Sequence, residues 1–469
     1  MTETSLEKKY SFMTCTPVPK LICKLAFPTM ISMLITTFYN MADTFFVGKL
    51  DTESVGAVGV AFSAMAIIQA VGFMFGNGSG NCLSRQLGRK QNDEAEKTAS
   101  TGFFSSIIIG LVLAVLGLIF LEKLSYVLGS TDTILPYTKK YLGVVLCAAP
   151  LYIGSLSLNC QLRMQGNASL AMIGIVSGGV LNLILDPILI FTFDMGITGA
   201  AFATAISQIA SFFILLIMIT RGNAVKIRLR SFSPSFHRYI KILGGGAPSF
   251  LRQGITSFAV ILLNHAAGVH GDAAIAGMAI TSRVVFFANA ALIGFGQGFQ
   301  PVCAFNYGAK LYDRVREGFW FSVKYGFAFL VFVAILLGVF APEVAGIFRK
   351  GDAEVVAVAS SALRWQVSVF PLNTWTVMVS MMLQTMGKSL RASILAICRQ
   401  GIFFIPLILI LPYFFGLKGI QMCQFWADIL TMSISLWFGI KTLRELKIVP
   451  DTIPDTRELP VELPLDGLD

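Results

Sequence analysis

Twelve stretches of this chain are each apolar over about the twenty residues that cross the hydrocarbon core of a bilayer. They fall near 21–47, 54–76, 98–121, 141–162, 168–193, 197–219, 240–269, 274–299, 319–346, 360–384, 389–413 and 416–440. In lipid every backbone amide must find its partner within the protein, so segments of this length and number are read as helices. Only 13% of the residues are charged, against about 25% in soluble domains. The reading is an all-α polytopic membrane protein with twelve transmembrane helices. Most spans interleave Gly, Ser or Thr with large side chains, as in "IGIVSGGVLNLILDPI", the pattern of helices that pack closely on one another. The polar, acid-bearing start "MTETSLEKKYSF" lacks the order of a removed signal peptide, so the first span is expected to stay.

A net charge of +10 raises two possibilities, nucleic acid or membrane topology, and the positions of the cations decide between them. With the N-terminus inside, the inner connections carry Arg85, Arg89, Lys90, Lys97, Arg163, Lys310, Arg314, Arg316, Lys388 and Arg391, plus the basic stretch from Arg221 to Lys241. The outer connections carry only Lys49, Lys123, Lys139, Lys140, Arg349, Lys350 and Lys418. This asymmetry predicts cytoplasmic termini in a cell (plasma) membrane protein, with the bilayer rather than nucleic acid as partner.

The longest inner connection, 221–239, splits the spans six and six, and the halves are self-similar across it. "AFPTM" (26–30) matches "GAPSF" (246–250), and "GNGSGN" (76–81) matches "GFGQGF" (294–299). "GRKQND" (88–93) matches "GAKLYD" (308–313), "MQGN" (164–167) matches "TMGK" (385–388), and "GITG" (196–199) matches "GLKG" (416–419). Five landmarks in register indicate a duplication. An even number of spans per copy makes the copies parallel, two bundles related by a pseudo-two-fold axis along the membrane normal. The expected organisation is a cytoplasmic N-terminus (1–20), an N-lobe (21–220), a cytoplasmic linker (221–239), a C-lobe (240–446) and a disordered acidic tail (447–469).

Carboxylates inside spans demand an explanation, since each costs roughly 2.5–3.5 kcal/mol at mid-helix. Asp43, in "FYNMADTFFVGKL", lies about 9 Å inside the outer boundary on the first span, and Asp186 lies at similar depth on the fifth. One turn deeper, on the same helical faces, are Tyr39 and Asn182, and Thr204 of the sixth span enters this layer about 12 Å down. These five residues predict one oxygen-lined site for a shared proton or for Na⁺. The bland alternatives are an Asp43 that reaches the interface and an Asp186 that belongs to a helix-breaking Asp-Pro step. The duplicate positions, Leu263 or Asn264 and Ile405, carry no acid, so coupling is expected in the N-lobe alone.

The C-lobe instead embeds Arg252, Arg283, Arg399 and Asp428. Arg399 and Asp428, each roughly 15–20 Å from the inner face, are an ion-pair candidate, structural first and substrate-contacting second. Arg252 and Arg283 could equally be held by backbone carbonyls at bends, and are assigned no chemistry. Pro28 and Pro187 are hinge candidates near the two acids, or static kinks. Gly76, Gly78 and Gly80 lack the Lys-Ser/Thr of a phosphate loop and are read as close packing. The eight cysteines are read as small buried thiols without metal spacing, and His237, His265 and His270 as ordinary helix-end residues.

Across about 15–445 the chain resembles the multidrug and toxic compound extrusion (MATE) family, in its bacterial drug/cation antiporter branch. The resemblance rests on "ADTFFVGKL", "NLILDPILIF" followed by "GITGAAFAT", and "GFGQGFQPVCAFNYGAK" (294–310). It implies two lobes around a central cavity and multidrug efflux of cationic amphipathic small molecules driven by H⁺ or Na⁺, with no other cofactor, no enzyme activity and a monomeric protein. It also implicates Tyr39, Asp43, Asn182, Asp186 and Thr204 in a first-lobe cation site. A second-lobe site of the kind some members use would need acids that "PSFLRQGITSF" and "FPLNTW" lack. Two other readings stay open: a lipid-linked oligosaccharide flippase of the same superfamily, which would want cations in its cavity, and a polytopic membrane enzyme, for which no residue set converges.

Overall fold

The computed structural model describes residues 3–221, 224–348 and 352–448, and no strand occurs among them. A helix, Glu3–Cys15, precedes the spans. The N-lobe is built from Val18–Val47, Thr52–Gly88, Asn92–Ile119, Leu135–Met164, Ala168–Pro187 and Gly196–Arg221. The fifth of these continues through a π-helical turn, Ile188–Thr192. The C-lobe begins with Phe236–Gly268, Asp272–Gly308 and Tyr312–Val339. The expected tail lies, from 449 on, outside the described residues.

Four C-lobe spans depart from simple helices. The tenth is two pieces, Ala353–Ser368 and Phe370–Thr385, bent by 54° at Val369, just before Pro371. Pro371 has no amide hydrogen to give the Val367 carbonyl and its ring crowds that carbonyl, so one helix cannot run through and the second piece starts with the proline in its first turn. The ninth span stops at Val339, short of the 346 expected, and a separate short helix, Ala341–Phe348, follows. The last two spans form one helical run whose backbone turns at Gly416, where φ is 55°. A straight run of 60 residues, Ser389–Ile448, would extend about 90 Å. Bonds between Arg399 and Asp428, 29 residues apart, show that it doubles back.

The repeat is legible in backbone angles. Lys90 and Lys310 both have φ of 60°, Gly166 and Gly387 both 82°, and Gly196 and Gly416 have 53° and 55°. Each pair belongs to one of the matched sequence landmarks. The third and ninth spans are followed by equivalent short helices, Leu121–Val127 and Ala341–Phe348. Twelve spans thus form two six-helix bundles related by pseudo-two-fold symmetry.

The lobes meet where small residues let backbones touch. A Cβ added at Gly78 would lie 2.0 Å from the Ile242 carbonyl oxygen, and one at Gly246 would lie 1.8 Å from that of Met74. The symmetry-related seam joins Gly294 and Gly298 to Met30 and Ala26. These glycines therefore serve close packing. Hydrogen bonds reinforce both seams: Asn77 Nδ2 to Ser249 Oγ at 3.1 Å, and Thr29 Oγ1 to the Gly294 carbonyl at 2.7 Å. All of these contacts lie in the half of the spans nearest the termini and the basic connections. The second span is largely buried from Ala70 to Gly88, then alternates between buried and exposed from Glu53 to Ile67. The lobes are sealed at the basic end and separated toward the other.

Of the cysteines, Cys82, Cys160, Cys303, Cys398 and Cys423 are buried, whereas Cys15, Cys23 and Cys147 are exposed. For Cys23 and Cys147 the expectation of burial fails because a spanning helix has an outer face where lipid suits a thiol as well as a core does. Arg85 and Arg163, counted above among inner connections, lie within the last turns of the second and fourth spans. The helices run past the apolar windows, so their terminal cations are enclosed by the interlobe seal.

Candidate cation-coupling site

The first and fifth spans pack so tightly that a Cβ at Gly179 would come 2.8 Å from the Tyr39 ring. That close approach, one turn before Asn182, brings the acid-bearing faces of the two helices together. Asp186 is fully buried and Asn182 is 4% exposed. Asn182 Nδ2 donates to Asp186 Oδ1 at 3.2 Å, which leaves the amide oxygen of Asn182 as a further acceptor. Asp43 is half-buried and close enough to act electrostatically on Asp186 and on Tyr39. The structure therefore places both carboxyls in one neighbourhood of the N-lobe, with Asp186 turned inward.

Thr204 reaches the same neighbourhood through Tyr141 of the fourth span, which is 1% exposed and interacts with Thr204, Asp43 and Asp186. The sequence reading missed Tyr141. An aromatic residue at the edge of an apolar window carries no signal that its hydroxyl faces acids on other helices. Oδ1 of Asp43 and Oδ2 of Asp186 are buried with no hydrogen-bond partner. Native proteins seldom leave buried acceptors unpaired, so each such atom points to a missing donor or cation.

Pro28 sits inside the first span, which stays one helix from Val18 to Val47. On both sides of this proline, at Ala26, Thr29 and Met30, the helix is clamped to the eighth span, and further along it Ile35 and Tyr39 pack on Gly179 of the fifth. Pro28 thus lies within the interlobe contact, a little before the intralobe one. Pro187 directly precedes the π-helical turn of the fifth span.

The embedded carboxylate of the C-lobe is in a different condition. Asp428 accepts from Arg399 Nε at 2.8 Å and Nη2 at 3.3 Å, from Asn373 Nδ2 at 3.1 Å and from Gln424 Nε2 at 2.7 Å. Asn373 belongs to the "FPLNTW" stretch noted above for lacking an acid, and its amide completes the shell of donors. Neither Arg252 nor Arg283 donates to a backbone carbonyl among the described residues, so that one of the open readings is not met, and both are exposed.

Two repeated bundles, a gap open to one side between them and a charge-bearing site buried in one bundle define the architecture of a membrane transporter. The MatE family signature matches residues 28–188 and again 248–410, so its two copies keep the register of the sequence landmarks. The chain is 30% identical over 411 residues to the multidrug export protein MepA of Staphylococcus aureus, covering 86% of this chain and 89% of that protein. It superposes with a TM-score of 0.89 on an outward-facing multidrug resistance MATE family transporter of the MOP superfamily, at 27% identity, covering 94% of this chain and 99% of that one. A MATE in the straight conformation also gives 0.89, at 26% identity and the same coverage. This chain belongs to the MATE family.

Proposed function

We propose that this protein exports cationic, lipophilic compounds across the cell membrane in exchange for inward-moving H⁺ or Na⁺, as a monomer with both termini in the cytoplasm and no other cofactor. The observation that carries the proposal is the pair of buried, unpartnered carboxyl oxygens of Asp43 and Asp186 in one lobe. Two negative charges close together in apolar surroundings are costly unless a cation joins them. A proton on one carboxyl, or Na⁺ held by both with the oxygens of Asn182, Thr204 and Tyr39 or Tyr141, removes that cost.

Occupancy is felt at the lobe interface through a line of polar contacts. Tyr39 neighbours Tyr152, Gln69 Nε2 reaches the Tyr152 hydroxyl at 3.5 Å, and Gln253 of the C-lobe donates to Gln69 Oε1 at 3.1 Å. Ion binding from the open side neutralises the acids and lets the first span bend at Pro28, so that drug is released and the lobes rock. Ion release on the cytoplasmic side restores the negative charge and draws in the next cationic substrate. Each ligand drives the cycle only by the difference in its affinity for the two states.

Purified protein in liposomes, loaded with ethidium and given a pH gradient or a Na⁺ gradient separately, tests this reading. One gradient should accelerate ethidium movement in the wild type and neither should do so in Asp43→Asn/Asp186→Asn. Undiminished gradient-driven movement in the double variant would remove the basis for coupling.

A further inference from the structure

The helix ahead of the spans is not absorbed by this mechanism. Glu3–Cys15 turns Tyr10, Met13 and Thr14 toward the protein and leaves Glu7, Lys8 and Cys15 exposed. Met13 is fully buried. The helix lies over the place where the two lobes cross at the basic end. There a Cβ added at Gly88 would come 2.1 Å from the Phe305 carbonyl oxygen, and one at Gly308 would come 2.2 Å from that of Arg85. The ring of the same Phe305 packs 5.7 Å from the Tyr10 ring.

The contacts of this helix divide between the lobes. From the C-lobe, Asn306 Nδ2 donates to the Met13 carbonyl at 3.2 Å and Arg314 Nη2 to the Thr16 carbonyl at 2.6 Å, and Arg314 Nε is braced on Asn306 Oδ1 at 3.0 Å. From the N-lobe, Lys90 Nζ stands 4.9 Å from the Tyr10 ring, Gln165 Oε1 accepts from Lys9 Nζ at 3.4 Å, and a Cβ at Gly166 would lie 3.0 Å from the Met13 sulfur. Gln165 Oε1 also accepts from the Val225 amide at 2.6 Å, so the connection between the lobes is tied to the same side chain.

The two sets differ in strength. Guanidinium and amide donors on backbone carbonyls fix the C-lobe side, and the chain runs on into the first span, itself bonded to the eighth through Thr29. A long ammonium–amide contact, a cation–π pair and a thioether contact make the N-lobe side, and each is weak near a surface. When the lobes part at this end, the helix stays with the C-lobe and lets go of the N-lobe.

We propose that Glu3–Cys15 is a latch on the basic end: seated on the C-lobe, it holds that end shut through Lys90, Gln165 and Gly166, and must release them before the end can open. The inference rests on the reading in which the lobes rock, and it adds a control on when they do. A contact made only in the sealed state favours that state, so opening waits on a differential gain from ion or drug that exceeds it.

Native thiols report the opening. Cys82 is buried at the lobe boundary, its Sγ donating to the Lys241 carbonyl of the C-lobe at 3.5 Å, whereas Cys423 is buried within the C-lobe, its Sγ donating to the Gly419 carbonyl at 3.0 Å. Full-length protein in phosphatidylcholine nanodiscs is labelled with a soluble maleimide, and each thiol is followed by peptide mass spectrometry. Tyr10→Ala should speed labelling of Cys82 about tenfold and Lys90→Asn about threefold, with Cys423 unchanged. Asn suits the left-handed backbone at position 90, where φ is 60°. Tyr10→Phe keeps the ring and should stay within about twofold of the wild type. No rise at Cys82, or an equal rise at Cys423, overturns the latch.

A second test closes the latch covalently. Tyr10→Cys with Lys90→Cys, in a chain carrying Cys15→Ser, Cys23→Ser and Cys147→Ser, is joined by a bis-maleimide. The joined protein should no longer move ethidium in liposomes, whereas the same protein capped singly with N-ethylmaleimide should. Transport undiminished by the bridge overturns the latch. A wild type that moves no ethidium overturns the export reading instead, and the labelling result then decides the latch.

Discussion

Asp186 and Asp428 are equally buried acids in the two copies of one repeat, yet their surroundings differ in kind. Asp428 receives four donors, two of them from the Arg399 guanidinium, and its charge is neutralised where it stands. Asp186 receives one donor, from Asn182, shares its site with a second acid and keeps one oxygen unpartnered. A carboxylate whose partners belong to the fold holds helices together. A carboxylate whose partners are incomplete has room for one more donor or a cation. On the proposed coupling, the duplicated scaffold puts one kind of charge to structural use and the other to exchange.

The largest effect that can break this contrast is on coupling. Asp43→Asn with Asp186→Asn should lower gradient-driven dye transport by about 100-fold or more while the protein still folds, because no buried countercharge is stranded. Flux assays paired with thermal unfolding in detergent check both halves of that statement. Asp428→Ala should do the reverse, destabilising by about 3–5 kcal/mol through the stranded Arg399. The compensated pair Arg399→Met/Asp428→Leu should return most of that stability. Loss of ion coupling in the compensated variant, with its melting temperature restored, would erase the distinction between the lobes.

Smaller changes sharpen the comparison. Gly78→Ala places a methyl group against the Ile242 carbonyl, so sealing of the basic end should be disfavoured by about 1–3 kcal/mol. Increased labelling of a cysteine introduced at the sealed end would report it. Thr204→Val removes one hydroxyl oxygen from the site. It should weaken the apparent affinity for the coupling ion by about 0.5–1.5 kcal/mol, read as a shift in the ion concentration giving half-maximal transport, with little change in melting temperature.

Much of the site could be read from residue spacing because a membrane helix has so little freedom. A constant rise per residue sets depth, a constant turn sets the face, and Asp43, Asp186 and Asn182 were grouped on those two numbers alone. The same reasoning failed for Tyr141. Which side of the fourth span faces the acids depends on how that helix is rotated against its neighbours, and the periodicity of an almost wholly apolar segment does not report rotation. It failed for Arg163 as well. A cation near a span's end looks like a loop residue until two lobes are seen to close over it.

By itself the amino-acid sequence determined the number of spans, the duplication and the common level of Asp43, Asp186 and Asn182. These follow from local quantities, the length of an apolar run, a repeated glycine and a fixed helical rise. Only the tertiary structure decided which charges are satisfied, which lobe faces seal and at which end the gap opens. Those depend on the docking of helices distant in sequence, where a difference of one donor separates a structural acid from one that must borrow its partner.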